Sequence, residues 1–272
     1  SGNTWLRALL SSYFFSDTNE FNFKLLGKID SFPSVRYFSN FNDNFLNSTD
    51  TAKYWIKAQS IINKQKKGIK FFKTHSALYK INNYSFTNEE NSLGAIQIVR
   101  DPRNVITSIC NHYQLTYDDA LTFMKNKKKA IYSKTNGRYL AFQPILSWSL
   151  NYKSWSKNEN IKTLLIKFEN IEKETFLTFK NILIFIKKIT NSELLIDDLK
   201  IKKCIKNCSF ETLEKLEKEN GFNEAPKKKN SQERLKFFNL GKKNRWKDIL
   251  EKNISDEIEK EFNKEMIELG YL

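Results

Sequence analysis

The chain begins Ser1-Gly2-Asn3-Thr4-Trp5-Leu6-Arg7, a short polar segment that leads directly into a helical pattern of apolar residues at positions 6, 9, 10, 13 and 14. Gly2 lets a ligand approach the backbone closely, and the first amides of a helix have no partners within the helix. These amides and the positive end of the helix dipole favour anion binding. Thr4 adds a hydroxyl donor and Trp5 a flat surface for a base. The alternative interpretation is an ordinary helix N-cap.

A phosphate-binding loop of this kind normally follows a buried strand. We therefore expect the first strand to lie upstream of Ser1, so that residues 1–272 form a single, N-terminally truncated domain. The loop does not end in Gly-Lys-Ser or Gly-Lys-Thr as a Walker A loop does, which argues against an ordinary kinase or ATPase.

Short apolar strands alternate with helical patterns along the rest of the chain. This alternation predicts an α/β, P-loop-NTPase-like three-layer fold, with a central parallel sheet flanked by helices and its first strand missing. Ligands then bind at the carboxyl ends of the strands. The loop of residues 1–5, Lys73-Thr74-His75 and Arg100 all fall at such ends. Strands are predicted at 69–72, 95–99 and 163–168, and helices at 3–14, 51–65, 117–128, 143–157, 173–188, 193–220 and 247–268.

A second candidate site begins at Arg100, which ends the strand 95–99. Asp101 can cap the next helix and Pro102 suits its first turn, so Ser108 falls two turns into that helix. A guanidinium can bind a phosphate through two hydrogen bonds, and a hydroxyl can add another. The alternative is that Arg100 pairs with a local carboxylate and Ser108 only packs.

The formal net charge of +15 raises the possibility of a nucleic-acid partner. The lysines are spread along the chain and no nucleic-acid-binding motif accompanies them, so we expect no such partner. The longest apolar run, 182–189, contains Lys187 and Lys188, and no membrane span is expected. Three cysteines and two histidines form neither a disulfide pattern nor a metal site, and no metal is expected.

Six segments, in order, resemble the cytosolic and bacterial sulfotransferases, which use 3′-phosphoadenosine-5′-phosphosulfate (PAPS). Ser1-Gly2-Asn3-Thr4-Trp5 is similar to the end of the family's Pro-Lys-Ser-Gly-Thr-Thr-Trp loop, and Lys73-Thr74-His75 to its Lys-Thr-His segment. Arg100-Asp101-Pro102-Arg103-Asn104-Val105 through Ser108 resembles its Arg-(Asp/Asn)-Pro-Arg-Asp-Val…Ser segment. Lys167-Phe168-Glu169-Asn170 resembles the family's (Lys/Arg)-Tyr-Glu-Asp segment, and Cys208-Ser209-Phe210 resembles its Thr-Ser-Phe segment. Phe237-Phe238-Asn239-Leu240-Gly241, followed by Arg245-Trp246-Lys247, resembles its Phe-x-Arg-(Lys/Arg)-Gly-x-x-Gly-Asp-Trp-Lys segment.

The resemblance implies a function for each segment. The Ser1–Trp5 loop would hold the 5′-phosphosulfate, and Arg100 and Ser108 the 3′-phosphate. Phe168 and Phe210 would lie near the adenine, and the other cofactor contacts would come from Cys208, Ser209, Phe237, Phe238, Asn239, Leu240 and Gly241.

The resemblance makes His75 the general base. A base with a pKa near neutrality suits proton removal from a hydroxyl or amine acceptor. From the residues alone, an ordinary polar side chain is the more common interpretation of a single histidine such as His75. Lys73 could stabilise the charge on the moving sulfuryl group, or it could simply be solvated at a strand end.

Three departures from the family pattern concern the cofactor site. The family's loop lysine would precede Ser1, so we expect residues 1–272 alone to be inactive or nearly so. The family's Arg-Lys pair before the C-terminal glycine is Asn239-Leu240 here, and Phe168 replaces a tyrosine.

The acceptor is expected to be a small molecule or a glycan, and the protein is expected to be cytoplasmic. Its pocket could be lined by residues 15–50 and by the aromatic helix with Trp148, Tyr152 and Trp155, although Trp148 and Trp155 fit a core better. The sequence does not indicate an oligomeric state. Two alternatives are a basic, non-enzymatic nucleotide- or nucleic-acid-binding protein and an inactive sulfotransferase homologue.

Overall fold

The computed structural model describes residues 2–18, 20–65 and 68–272. None of the helices in this part of the chain is both long and apolar enough to cross a bilayer. The strands are β1 (Asp30–Ser31), β2 (Phe72–Lys73), β3 (Lys80–Ile81), β4 (Tyr84–Ser85), β5 (Ala95–Val99), β6 (Ala130–Thr135), β7 (Arg138–Pro144) and β8 (Thr163–Lys167). The helices are α1 (Asn3–Phe15), α2 (Val35–Phe38), α3 (Trp55–Gln65), α4 (Pro102–Tyr113), α5 (Tyr117–Lys125), α6 (Trp148–Ser156), α7 (Phe168–Lys173), α8 (Thr175–Thr190), α9 (Asp198–Asn207), α10 (Phe210–Asn220), α11 (Trp246–Ile249), α12 (Lys252–Glu261) and α13 (Asn263–Glu268), with 3₁₀ turns at Phe23–Lys28, Asp50–Tyr54 and Gly241–Lys243.

Parallel strands carry the predicted site residues at their carboxyl ends. β5 pairs with β8 in parallel, from Ala95 opposite Thr163 to Val99 opposite Lys167. β1 pairs with β2 in parallel, and Ser31 lies opposite Lys73. The predicted α/β class with parallel strands is confirmed. Arg100 follows β5, Phe168 follows β8, and Lys73 ends β2.

Helices cover both faces of the β5–β8 pair. Successive side chains of a strand point to opposite faces. Ile96 and Ile98 pack into the main core with α1 and α8. Val99 packs against Tyr152 of α6 on the other face, where Gln97 Nε2 donates to the Tyr152 carbonyl at 3.0 Å. The arrangement has the three layers that the sequence predicts.

The apolar face of α1 anchors the helix in the main core. Burying a leucine-sized side chain contributes about 1.5–3 kcal/mol. This packing fixes the direction in which the N-terminus of α1 points. The buried residues in the contact are Leu6, Leu9, Leu10 and Tyr13 of α1 and Phe179, Ile182, Leu183 and Ile186 of α8.

An antiparallel hairpin, β6 with β7, occupies a region that the sequence analysis misread. Its turn residues Asn136 and Gly137 have φ values of 50° and 77°, and Asn-Gly is the dipeptide that favours a two-residue hairpin turn. The predicted helix 143–157 is therefore wrong at its start: α6 begins at Trp148, after the Ser147 cap. Trp155 is buried in a core cluster, as expected.

Other predicted elements differ in extent. The helix predicted at 247–268 is three helices, α11, α12 and α13. The strand predicted at 69–72 is only Phe72–Lys73, because its partner β1 has just two residues that pair with it. The helix predicted at 193–220 is two helices. Ser209 caps α10 by accepting a hydrogen bond from the Thr212 amide, so Cys208 and Ser209 form a break between α9 and α10.

Candidate functional site

The first turn of α1 opens onto a cavity of about 1290 Å³. Gly2 precedes the helix in the left-handed conformation (φ 81°), and no side chain of the described residues caps the helix. The Asn3 Oδ1 atom is buried without a hydrogen-bond partner in the described chain. The free first-turn amides and the helix dipole thus face the cavity and favour an anion there. Ser1 lies outside the described residues.

Arg100 enters the same cavity from the end of β5. Its guanidinium lies 4.2 Å above the Phe168 ring centroid, and its Nε is buried with no hydrogen-bond partner among the described residues. Burial lowers the pKa of Arg100, and nearby Glu169 opposes that effect. Arginine nevertheless stays protonated at neutral pH. Arg100 is thus a partly desolvated cation that an anion would stabilise.

Two of the carboxylates near Arg100, those of Asp101 and Glu169, have other partners, whereas Glu172 acts on Arg100 and lines the same cavity. Asp101 caps α4 and accepts from Arg103, whose Nη2 lies 2.7 Å from Asp101 Oδ2. Arg103 also pairs with Glu259 at 2.6 Å. Glu169 accepts from the Asp101 amide at 3.0 Å and from the Tyr271 hydroxyl at 2.9 Å. Arg103 is the structural arginine of this segment, and Arg100 is the arginine left open to the cavity.

Ser108 and His112 lie on successive turns of α4 and both line the cavity. Ser108 is exposed and His112 is half-buried. Since α4 starts immediately after Arg100, the strand end and the helix bring Arg100 and Ser108 to the same cavity, as the sequence predicts.

Aromatic side chains link the cavity's segments. The Trp5 ring meets the Phe168 ring edge-on, with centroids 5.9 Å apart. Trp5 Nε1 donates to the Cys208 carbonyl at 2.8 Å, because the break between α9 and α10 leaves that carbonyl available. Ser209 and Phe210 line the cavity, whereas the Cys208 side chain is fully buried in the core.

The Phe237–Gly241 segment crosses between α10 and α4. The amides of Phe237 and Phe238 donate to Glu217 of α10 at 2.7 and 2.9 Å, and Asn239 Nδ2 donates to Asn111 of α4 at 3.4 Å. Phe238 is buried in the main core. Gly241 fits against Phe210, since a Cβ there would lie 2.6 Å from the ring. The segment, including Leu240, lines the cavity.

His75 faces this cavity from the segment after β2. The backbone fixes it: its amide donates to Gln143 at 3.4 Å and its carbonyl accepts from Asn151 at 3.3 Å. The His75 side chain is exposed to the cavity, and the walls of the cavity place many protein atoms around it. This desolvation, with the positive charge of Lys73, lowers the pKa of His75 to about 4. The imidazole is therefore neutral at pH 7 and can accept a proton.

Lys73 does not stand alone in the cavity. Its Nζ lies 2.8 Å from Glu224 Oε2, and Glu224 Oε1 lies 2.8 Å from Nη1 of Arg7. All three side chains line the cavity. Lys73 thus has a carboxylate partner that connects it to α1.

The comparisons with known proteins now bear on this geometry. The family model described as "Sulfotransferase domain" matches residues 1–270. The chain belongs to the sulfotransferase family.

The individual relatives named below are distant from this chain. "Cytosolic sulfotransferase 12" of Arabidopsis thaliana is 24% identical over 172 residues, which are 63% of this chain and 49% of the relative. The match thus spans about half the length of that curated relative. Mouse sulfotransferase SULT7A1 complexed with PAP has a TM-score of 0.59 at 16% identity, covering 98% of this chain and 81% of that chain. Retinol dehydratase in complex with androsterone and inactive cofactor PAP has a TM-score of 0.58 at 15% identity, with 98% and 78% covered. These structures share the fold.

Glu224 was not predicted as a site residue from the sequence, and Arg7 was considered only as part of the opening segment. The position of Arg7 could have indicated a buried ion pair. Arg7 lies on the same helical stripe as Leu10 and Phe14, and a buried charge needs a partner. No sequence pattern indicates the role of Glu224, since it is 151 residues from Lys73 in a stretch without periodicity.

The His75 pKa can be measured directly, because the chain has only two histidines. NMR titration should give a His75 pKa near 4, well below 6.5, and an anion bound in the cavity should raise it. Since the unfolded chain binds more protons than the folded one between about pH 4 and 6.5, this histidine makes stability fall as pH drops through that window. A His75 pKa of 6.5 or above would contradict the geometry.

Proposed function

We propose that this chain transfers a sulfuryl group from PAPS to a hydroxyl or amine of an acceptor, with His75 as the general base. One observation carries the proposal. A single cavity is shared by the first turn of α1, which no described side chain caps, by Arg100, whose Nε has no hydrogen-bond partner among the described residues, and by the neutral His75. Membership of the sulfotransferase family supports the reaction class.

The residues present fit a nucleotide that carries anionic groups at two positions. The first turn of α1, from Gly2 to Trp5, would hold the 5′-phosphosulfate, and Arg100 with Ser108 would hold the 3′-phosphate. The buried, unpartnered Nε of Arg100 supports that assignment. Trp5, Phe168 and Phe210 offer ring surfaces for the adenine. When bound, PAPS supplies the activated sulfuryl group.

His75 would take the proton from the acceptor as its oxygen or nitrogen bonds to sulfur and the bond from sulfur to the 5′-phosphate oxygen breaks. The pKa of His75 lies well below 7, so the imidazole is neutral, and the anionic groups of bound PAPS would raise that pKa toward the neutral range that suits a general base. Lys73 and the first-turn amides of α1 would stabilise the charge on the moving group and on the departing phosphate. The protein's contribution is positioning and charge stabilisation.

We further propose that residues 1–272 act as one sulfotransferase domain on a small-molecule or glycan acceptor. The apolar and aromatic lining next to His75, including Phe32, Phe86 and Trp155, favours an acceptor with an apolar body. We also propose a cytoplasmic location, which the resemblance to the curated cytosolic relative supports.

Gly2→Ala is expected to weaken nucleotide binding. A Cβ at Gly2 would lie 2.4 Å from Cδ2 of Phe168, and its φ of 81° is strained for alanine. The Phe168 ring would be displaced from the loop and from Arg100, so both the affinity for 3′,5′-adenosine bisphosphate (PAP) and the melting temperature should fall. Gly137→Ala is the matched control: it also has positive φ but open space around it, so it should lower only the melting temperature. Unchanged PAP affinity in Gly2→Ala would contradict the loop assignment.

The reaction itself is tested by incubating the protein with PAPS and separate pools of phenols, alkyl alcohols, sugars and amines. We expect the chain with the family's Pro-Lys pair added before Ser1 to release PAP in dependence on one pool, together with an acceptor that gains one SO₃ group in the mass spectrum, and residues 1–272 alone to show little or no transfer. Normal PAP binding without transfer to any pool would indicate an inactive homologue and overturn the proposal. Salt-sensitive binding of DNA or RNA without PAP affinity would indicate a nucleic-acid-binding protein instead.

A further inference from the structure

Three charged side chains form a compact cluster inside the cavity, here called the Glu224 clamp: Arg7, Lys73 and Glu224. Glu224 accepts from Lys73 through Oε2 at 2.8 Å and from Arg7 through Oε1 at 2.8 Å and Oε2 at 3.0 Å. The side chains of Arg7 and Lys73 are 7% and 13% exposed, and that of Glu224 is 33% exposed. Ion pairs this secluded hold their geometry far better than surface pairs do.

The protein fixes both ends of the clamp. Arg7 Nη2 donates to the carbonyls of Leu26 and Ile29, each at 3.1 Å, which ties α1 to the turn before β1. Arg234 Nη1 donates to the carbonyls of Asn223 and Ala225, at 3.0 and 2.6 Å, on either side of Glu224. The carboxylate is therefore held in place by its own backbone as well as by its cations.

We propose that Glu224 is a positioning residue that holds the Lys73 ammonium between the N-terminal helix α1 and His75. This inference rests on the proposed function, because Lys73 is there the cation that meets the moving sulfuryl group. An ammonium has three donors, and Glu224 takes one of them. The remaining donors can face the cavity while the carboxylate restricts the long lysine chain to one geometry.

The clamp also sets the charge around His75. The charged or titratable groups that act on His75 among the described residues are Lys73 and His112, which lower its pKa, and Glu224, which raises it. Burial opposes ionisation of Glu224, but Lys73 and Arg7 outweigh it and lower the Glu224 pKa. The carboxylate therefore stays charged at neutral pH. Two cations and one carboxylate leave a net positive charge beside the proposed sulfuryl site.

The first test is NMR titration of His75 and needs no PAPS. Lys73→Met should raise the His75 pKa, and Glu224→Gln should lower it, since each removes one charge. Glu224→Asp keeps the charge and should leave the pKa near the wild-type value. Glu233→Gln is the charge-matched control, because Glu233 is an exposed residue that pairs with Lys228, and it should change nothing. Unchanged His75 pKa values in both Lys73→Met and Glu224→Gln would overturn the proposal.

The second test is steady-state kinetics with PAPS and the acceptor that supports transfer. Glu224→Gln and Glu224→Asp should both lower kcat by about ten- to a hundredfold, as a misplaced catalytic group does. KM for PAPS should stay unchanged or fall in Glu224→Gln, because the cavity becomes more positive. Equal or higher kcat in both variants would overturn the positioning role. If no acceptor supports transfer but the His75 pKa values shift as predicted, the proposed function is wrong and the positioning of Lys73 by Glu224 is still supported. If Glu224→Gln does not fold, the His75 pKa in Lys73→Met still tests the proposal.

Discussion

His75→Ala should lower turnover by about 10²–10⁴-fold, the usual cost of losing a general base. The imidazole faces the cavity, where the positive charge of Lys73 acts on it. In the proposed function it contacts the acceptor and not the nucleotide, so PAP affinity should change little. The effect should therefore appear in kcat, measured as PAP release with a verified acceptor. Added imidazole should restore part of the lost rate, because the substitution leaves space where the ring was.

His112→Ala is the matched control for this prediction. It removes the chain's other histidine from the same cavity, and its turnover should stay within about tenfold of wild type, well short of the loss of a base. If His75→Ala retained more than half of the wild-type rate, or if His112→Ala had the larger effect, His75 would not be the base.

Arg100→Ala should weaken PAP binding by roughly 10- to 150-fold, which corresponds to the 1.5–3 kcal/mol of a hydrogen bond to a charged group. AMP binding should weaken much less, because AMP lacks the 3′-phosphate that Arg100 is proposed to hold. The melting temperature without ligand should not fall, since the substitution removes a partly buried cation whose Nε has no partner among the described residues. Calorimetric titration and thermal unfolding measure these effects.

Two other arginines serve as controls for Arg100. Arg36→Ala removes an exposed arginine that pairs with Asp30 outside the cavity, and PAP affinity should be unchanged. Arg103→Ala removes the partner of Asp101 and Glu259, so the melting temperature should fall. Equal loss of PAP and AMP affinity in Arg100→Ala would place Arg100 away from a 3′-phosphate.

Local signals account for what the sequence predicted well. Asp101 and Pro102 predict the start of α4, because Asp101 can cap a helix and Pro102 has the φ of a first helical turn. The Asp101 side chain does accept a hydrogen bond from the Arg103 amide. The apolar run before them gives β5 with its predicted bounds. Arg100 follows β5 directly and Ser108 lies on α4. Their approach to one cavity could therefore be predicted from these two neighbouring elements, without any long-range information. The start of α6 was missed although its signal was present, since Asn136-Gly137 marks a hairpin turn.

Long-range contacts account for what the sequence could not show. β1 has two residues in a stretch read as irregular, and only its pairing with β2 makes it a strand. The Trp5 contact with the Cys208 carbonyl joins residues 203 positions apart. Glu224 reaches Lys73 and Arg7 across similar separations. No periodicity or spacing encodes such pairs, so the Glu224 clamp becomes visible only in three dimensions.

The central claim is that this cavity binds a nucleotide with a 3′-phosphate and a 5′-anion. Calorimetric titration of the protein with PAP and, separately, with AMP tests it most directly. Arg100 lies beside Phe168, and its Nε has no partner among the described residues, so we expect PAP to bind at least tenfold more tightly than AMP, about 1.4 kcal/mol. Equal affinities for PAP and AMP, or no binding of either, would contradict the account.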